Sequence, residues 1–358
     1  MPTLTLFGWP VSPYTEKTKA WLRFKGFDTD EVEPTLWTLR RTVQPAVGRL
    51  VMPTVRRSDG AWLSDSRHIL DTLEQERPEP ATQPAGPRQQ VVSALLELFG
   101  DEWLVLAALH YRWQRAGNVQ FAVDAFAGHG LPWVPRALAR RLVRPVAHRM
   151  AAYQPKLGLH PHTVSGIEAL TEQTLAALDA HLAEHPFLLG TRPCIGDFAM
   201  FGSIWAHLER DPHSTYLFDD TPHVLAWTAR LRDPTGDPGA FLPDDEVPST
   251  LGPLLALAMD PWPHLVDTME AASAWLSEHP EATRLPRSLG EAPFHLFGRE
   301  GTRKRSTFPL WKAERVLDAV AELPEAAHPW LAGFGGHELL AAPTWPRQRM
   351  EGHRLVLA

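Results

Sequence analysis

Residues 9–21 read WPVSPYTEKTKAW. They follow a short apolar run, Leu4 to Phe7, that reads as a buried strand. Gly8, Pro10 and Pro13 interrupt it. From Thr15 to Lys25 the positions Ala20, Trp21 and Phe24 share one face of a helix, which Gly26 ends. Ser12-Pro13-Tyr14 therefore sits in a strand-to-helix turn. A helix N-terminus offers free N–H groups and the positive end of the peptide dipoles, and both stabilise an anion. A hydroxyl there can donate to a bound thiolate, the reactive form of a thiol that ordinarily titrates near about 8.5. The same residues also fit a plain cap, with Ser12 capping the helix and Pro13 starting it. On this segment alone the plain cap is the stronger reading.

The neighbouring segments add to it. Asp28 to Val32 reads as a second strand. Pro53 to Val55, Ser58-Asp59-Gly60 and Ala61 to Leu63 read as a hairpin with an Asp-Gly turn. Ser66 to Glu76 reads as a helix that stops before Pro78. The order is that of a small α/β unit. Within it, Val51-Met52-Pro53-Thr54-Val55 starts a strand with a proline. Such a proline is often cis and exposes the preceding backbone to an extended ligand. Leu63-Ser64-Asp65-Ser66 places an acid and a hydroxyl at a helix start. The free N–H groups there, with Ser66, can hold a carboxylate, and Asp65 can pair with an amine; Asp65 also fits a simple cap.

A length of 358 residues suggests two domains and an extra lobe. The segment PEPATQPAGPR at 78–88 reads as a linker, and helical periods follow it. Helices are expected at Gln89–Trp113, in shorter pieces over 119–152 broken by Pro132, Pro135 and Pro145, and at Thr163–Glu184, Asp197–Glu209 and Val224–Arg232. Pro, Asp and Gly crowd 233–248, a second boundary. Beyond it, helices at 251–259, 264–279 and 309–322 and a short strand at 294–297 are expected. The domains are thus 1–78, 88–235 and 249–358.

The net charge of −7 argues against a nucleic-acid partner. No apolar run approaches the length of a membrane span, and MPTLTLFGWP has no basic region or cleavage site of a signal peptide. The single cysteine, Cys194, excludes an intrachain disulfide and a Cys-x-x-Cys pair. A reducing cytoplasm is the simplest compartment.

The three N-terminal segments, in this order, resemble the thioredoxin-like half of the glutathione S-transferase superfamily. Phe187-Leu188-Leu189-Gly190-Thr191-Arg192-Pro193-Cys194-Ile195-Gly196-Asp197 is similar to that family's approach to its central helix. SPYTEKTKAWLRFKG at 12–26 and GLHPHT at 158–163 resemble the metaxin-like and failed-axon-connections-like branch. The resemblance implies a thioredoxin-like α/β domain, an all-helical domain and, here, a helical C-terminal extension. It implies glutathione, or another low-molecular-weight thiol, as co-substrate. Ser12 would activate the thiol, with Tyr14 a second candidate. Met52, ahead of a cis Pro53, would pair its backbone with the cysteinyl part, and Asp65 and Ser66 would hold the γ-glutamyl end. GRLVM before Pro53 is longer than the family's spacing, so the glycine end is unassigned and Arg49 there is a conjecture. Most relatives carry Ser or Thr where Cys194 stands, which reads as a buried cap, with Asp197 completing it.

The family's first helix of the all-helical domain lines the electrophile pocket and the dimer seam. Here it carries Glu102, Trp103, His110 and Tyr111. Glu102 and His110 are eight apart and project to about one face, so they can act as general acid and base. The plainer reading is a salt-bridged surface with Trp anchors. His160-Pro161-His162 is weak as a metal site and reads as a loop ahead of Thr163. REGTRKR at 299–305 reads as a solvated loop. No metal site is assigned. The expectation is a transferase, lyase or isomerase acting on a small apolar electrophile, as a homodimer. Two alternatives stand beside it: a thiol-independent biosynthetic enzyme using Glu102, His110 and Tyr14, and a non-catalytic interaction protein.

Overall fold

The computed structural model describes residues 3–358; Met1 and Pro2, at the start of the expected first domain, lie outside the described residues. Strands β1 (Leu4–Phe7), β2 (Thr29–Val32), β3 (Thr54–Arg57) and β4 (Trp62–Ser64) form one sheet in the order β2-β1-β3-β4. β1 runs parallel to β2 and antiparallel to β3. Helices α1 (Pro13–Phe24) and α2 (Ser66–Glu76), with a helical segment over 36–47 between β2 and β3, complete the thioredoxin-like domain. The Asp-Gly turn forms as its sequence predicts, with Asp59 accepting from the Ala61 N–H at 2.9 Å.

The helical domain contains α3 (Pro87–Glu102), α4 (Leu104–Gln114), α5 (Ala116–Gly130), α6 (Arg136–Ala152), α7 (Val164–Leu182), α8 (Ile195–Ser203) and α9 (Pro222–Arg232). Two expectations change. The helix foreseen over 89–113 is two helices, broken at Trp103. Pro145 lies inside α6 instead of breaking it. The carbonyl it leaves without a partner belongs to exposed Arg141, where water can serve.

The central crossing is α3 on α8, and glycine makes it possible. A Cβ on Gly100 would stand 2.6 Å from the backbone of Ala199 and Met200. Cys194 is buried at the N-cap of α8, as its sequence suggests. Asp197 accepts from the Cys194 N–H at 2.9 Å, the Leu188 N–H at 3.1 Å and the Trp227 indole at 2.9 Å. These bonds tie the approach loop and α9 to the helix start.

The extension holds α10 (Gly252–Met259), α11 (Trp262–Glu278), α12 (Phe308–Ala321) and two hairpins: β5 (Ser288–Leu296) with β6 (Arg299–Ser306), and β7 (Gln348–Glu351) with β8 (Arg354–Leu357). The segment REGTRKR is thus a strand and not a solvated loop. Its Arg303 is 4% exposed and lies 4.3 Å from the centre of the Trp103 ring, so the stacking draws the chain inward.

Charge joins this extension to the rest. Asp101 of α3 accepts from Lys17 of α1 at 2.8 Å and from Lys312 of α12 at 2.9 Å. Lys312 also reaches Glu102 at 3.0 Å. Glu97 accepts from Lys17 and forms an ion pair with Arg315, each at 3.0 Å. Arg315 also pairs with Asp71 of α2, and Arg67 donates to the Trp311 carbonyl. Burial opposes ionisation of Glu97, but Arg315 and Lys17 outweigh it and bring its pKa to about 2. At the far end Glu314 accepts from the Gln348 N–H at 2.8 Å, which fixes β7.

Two outcomes follow. Gly100→Val should lower stability by about 1–3 kcal/mol, because two backbones must separate; urea denaturation measures it. Burial raises Glu314 from 4.5 to about 7, against the Gln348 N–H, Arg347 and Arg67. A raised carboxyl stabilises the fold most below its ordinary value, and that contribution is lost as pH rises. The melting temperature should therefore acquire a falling component between pH 4.5 and about 7, and Glu314→Gln should remove it.

Candidate functional site

Three segments leave one end of the sheet. The register places Phe7 opposite Thr54 and Thr54 opposite Ser64. The turn to α1 follows Phe7, the Met52-Pro53 bond precedes Thr54, and Asp65-Ser66 follows Ser64. The candidates Ser12, Met52, Pro53, Asp65 and Ser66 are therefore brought to a common edge.

Ser12 is the N-cap of α1 and partly exposed; its Oγ accepts from the Thr15 N–H at 3.4 Å. That contact uses a lone pair and leaves the hydroxyl proton available to an incoming acceptor. Pro13 has no N–H, so the start of the helix presents the Tyr14 amide. Tyr14 itself is committed elsewhere: its hydroxyl donates to the Asp101 carbonyl at 2.8 Å, and Lys312 lies 5.4 Å from its ring centre. Burial, then the charge of Glu102, pushes the phenol up from its ordinary value. Of the two hydroxyls, Ser12 is the one free to donate.

The turn is anchored by a residue with no assigned role in the sequence reading. Arg112 of α4, 2% exposed, donates to the Val11 carbonyl at 2.6 Å, the peptide just before Ser12. Its other nitrogens fork onto Asp211 at 2.7 and 2.6 Å and reach the Ala206 carbonyl at 2.7 Å. His207 accepts from Arg112 at 2.6 Å and donates to the Ala108 carbonyl at 2.9 Å. Burial, with the guanidinium alongside, holds His207 well below its ordinary pKa, so it stays neutral and can accept.

The Met52-Pro53 bond is cis. Met52 is partly exposed, whereas Pro53 and Ser66 are buried. Asp65 has φ +78°, a region that residues with a Cβ rarely occupy, and its carboxylate accepts from the His68 N–H at 3.3 Å. Burial raises its pKa, and Lys312 opposes that. The cap and the turned-out backbone coexist: Asp65 starts α2 while its peptide faces the edge.

The second expected cluster is dispersed. The break at Trp103 ends the shared face of Glu102 and His110. Glu102 pairs with Lys312 and His110 with Glu168 at 3.1 Å. Trp103, His110 and Tyr111 are 1–3% exposed; Trp103 packs against Phe294, with Arg303 over both rings, inside the core and not on a cleft wall. Val91 to Asp101 of α3 is buried throughout, covered by α8, α10 and α12. Any homodimer of this chain therefore uses a surface other than α3. Lys312, which fills the space beside Tyr14, could not be found from the sequence, since its partner Asp101 is 211 residues away.

His160 bonds the Thr302 carbonyl at 2.7 Å and lies in a loop, as its sequence suggests. Among the described residues no group of three or more His, Cys, Asp or Glu could hold a metal, and no helix is long and apolar enough to cross a membrane.

Residues 6–81 match the glutathione S-transferase N-terminal domain and residues 145–230 the glutathione S-transferase C-terminal domain. The chain is similar to a tetrachloro-p-hydroquinone reductive dehalogenase of Sphingobium chlorophenolicum, 24% identical over 65% of this chain and 93% of that one. Among solved structures it is similar to the β-etherase LigF of Sphingobium sp. strain SYK-6, at 19% identity, 64% and 94% coverage of this chain and that one, and TM-score 0.43. A glutathione S-transferase of Methylobacterium radiotolerans, solved with glutathione sulfonate, gives 20% identity, 68% and 99% coverage and TM-score 0.40. The two matches fall, in this order, on the thioredoxin-like sheet domain and on the helical domain.

Proposed function

We propose that the protein is a glutathione-dependent enzyme of the transferase type. A low-molecular-weight thiol binds as its thiolate at the N-terminus of α1 and attacks an electrophile. The observation that carries this reading is the Ser12 hydroxyl, free to donate, on an edge shared with the Met52-Pro53 peptide and Asp65-Ser66. The Met52 backbone would pair with the extended thiol peptide. The α2 start and Ser66 would take its γ-glutamyl carboxylate, and Asp65 its amine. Arg112 holds the turn in place and so acts as a positioning residue.

The similarity to a protein named as a reductive dehalogenase and the glutathione sulfonate in a solved neighbour are consistent with this chemistry. The metaxin-like branch remains the more specific form of the same reading. With Trp103, His110 and Tyr111 buried, the electrophile would meet residues of the extension instead. That same burial favours a second reading, a protein that keeps the fold without thiol chemistry.

Calorimetry with glutathione separates the two: saturable binding by the full chain supports the enzyme, and no binding favours the second reading. Ser12→Ala should slow conjugation at neutral pH by about 10–100-fold, the worth of one hydrogen bond to a charged group. The pH–rate midpoint should move upward while glutathione affinity changes less. An unchanged midpoint would remove Ser12 from the chemistry. Arg112→Lys should destabilise the fold by about 3 kcal/mol, since Asp211 keeps its buried charge but loses the fork; thermal unfolding reads it.

A further inference from the structure

We infer that the C-terminal extension builds a binding site for a small organic anion carrying at least two acidic groups on an apolar body. A cavity of about 780 Å³ opens between the N-terminal domain, the end of α6 and the extension. Arg49, Arg284, Arg287, Lys304 and Arg354 line it, and no Asp or Glu does. The charge of the whole chain is −7, so this concentration of one sign runs against the average.

Among the described residues none of the five donates a side-chain hydrogen bond or forms an ion pair. The Arg49 Nε is buried with no partner. Cations nearby in the extension are treated differently: Arg305 pairs with Asp267, Arg347 with Asp318 and Arg349 with Glu351. Like charges gathered in a partly enclosed space repel one another, and a buried unpaired donor is costly. A guest anion removes both penalties.

The shape and the remaining walls narrow the guest. The volume lies in the range of small-molecule pockets, which run to about 300–1,000 Å³. Tyr153, Trp275 and Phe308 supply aromatic walls, and Leu285, Met350 and Leu355 aliphatic ones. Four of the five cations are arginines, whose planar forks match carboxylate, sulfonate or phosphate oxygens. The site adjoins the thiol edge: Arg49 lies four residues before Pro53, and His353, beside Arg354, bonds the Ser64 hydroxyl at 2.9 Å. The inference goes beyond the thiol reading and does not need it, because the cavity and its cations stand whether or not Ser12 meets a thiol.

Calorimetry on the full chain tests it with four probes: naphthalene-1,5-disulfonate, naphthalene-2,6-dicarboxylate, pyrophosphate and glutathione. The expected result is one site for the naphthalene dianions, with pyrophosphate at least tenfold weaker. Arg287→Ala with Lys304→Ala should weaken the dianions at least tenfold and not lower the melting temperature, since neither side chain has a hydrogen bond or ion pair to lose. Raising salt should weaken binding. Ser12→Ala should leave dianion binding intact, so loss of thiol chemistry and loss of this site are told apart. Equal binding of pyrophosphate, dianion binding that ignores the double variant, or binding of glutathione alone would each overturn the inference.

Discussion

The Lys312 ammonium, set between Asp101 and Glu102 under the ring of Tyr14, is the contact on which the rest of the molecule closes. Three carboxylates of α3 enter the interior: Glu97, Asp101 and Glu102. Buried charges are tolerable only when paired. Lys17 supplies part of that pairing from the N-terminal domain; Lys312 and Arg315 supply the rest from the extension. Burial alone would pull the Lys312 pKa down, but Asp101, Glu102, Tyr14 and Asp65 raise it well above its ordinary value. The ion pairs therefore persist across neutral pH and bind three lobes at one point. Because Lys17 is on α1, this junction also sets the direction in which the Ser12 end of that helix points.

The local parts of this design are legible in the sequence. Gly8, Pro13 and Gly26 delimit the first strand and helix. Asp59-Gly60 marks the hairpin, and Cys194 with Asp197 marks the start of α8. Ser12, Pro53, Asp65 and Ser66 stand at one edge for the same reason: each is positioned by its own peptide and those next to it. The residues that were misread act at a distance. No Gly or Pro stands at Trp103 itself, where the helix breaks under Arg303, a residue 200 positions further on in the chain. The Arg-rich run at 299–305 has the composition of a solvated loop, yet one of its arginines, Arg303, is buried. Apolar periodicity finds a helix face; it does not say which face a later segment will cover.

The edge that carries Ser12 combines buried and partly exposed parts. Arg112 ties the Val11 peptide into a neutral His207 and a buried Asp211, so the turn carrying Ser12 has little freedom. Met52 is partly exposed, and the Asp65 backbone is held in a rarely populated conformation by the cap it forms with α2. The extension reaches this edge through one side-chain bond, His353 to Ser64, on the turn of its last hairpin.

The long span between the acids and Lys312 has a consequence for synthesis. Asp101 leaves the ribosome 211 residues before Lys312, a delay of roughly 10–40 s at about 5–20 residues per second. Over that interval Lys17, made earlier, is the counter-charge at hand for Glu97 and Asp101, while Glu102 has none from the extension. A nascent chain at that stage would hold its first two domains loosely, with α3 still hydrated along the side that α12 later covers. Docking of α12 and expulsion of water from that helix are then the same event.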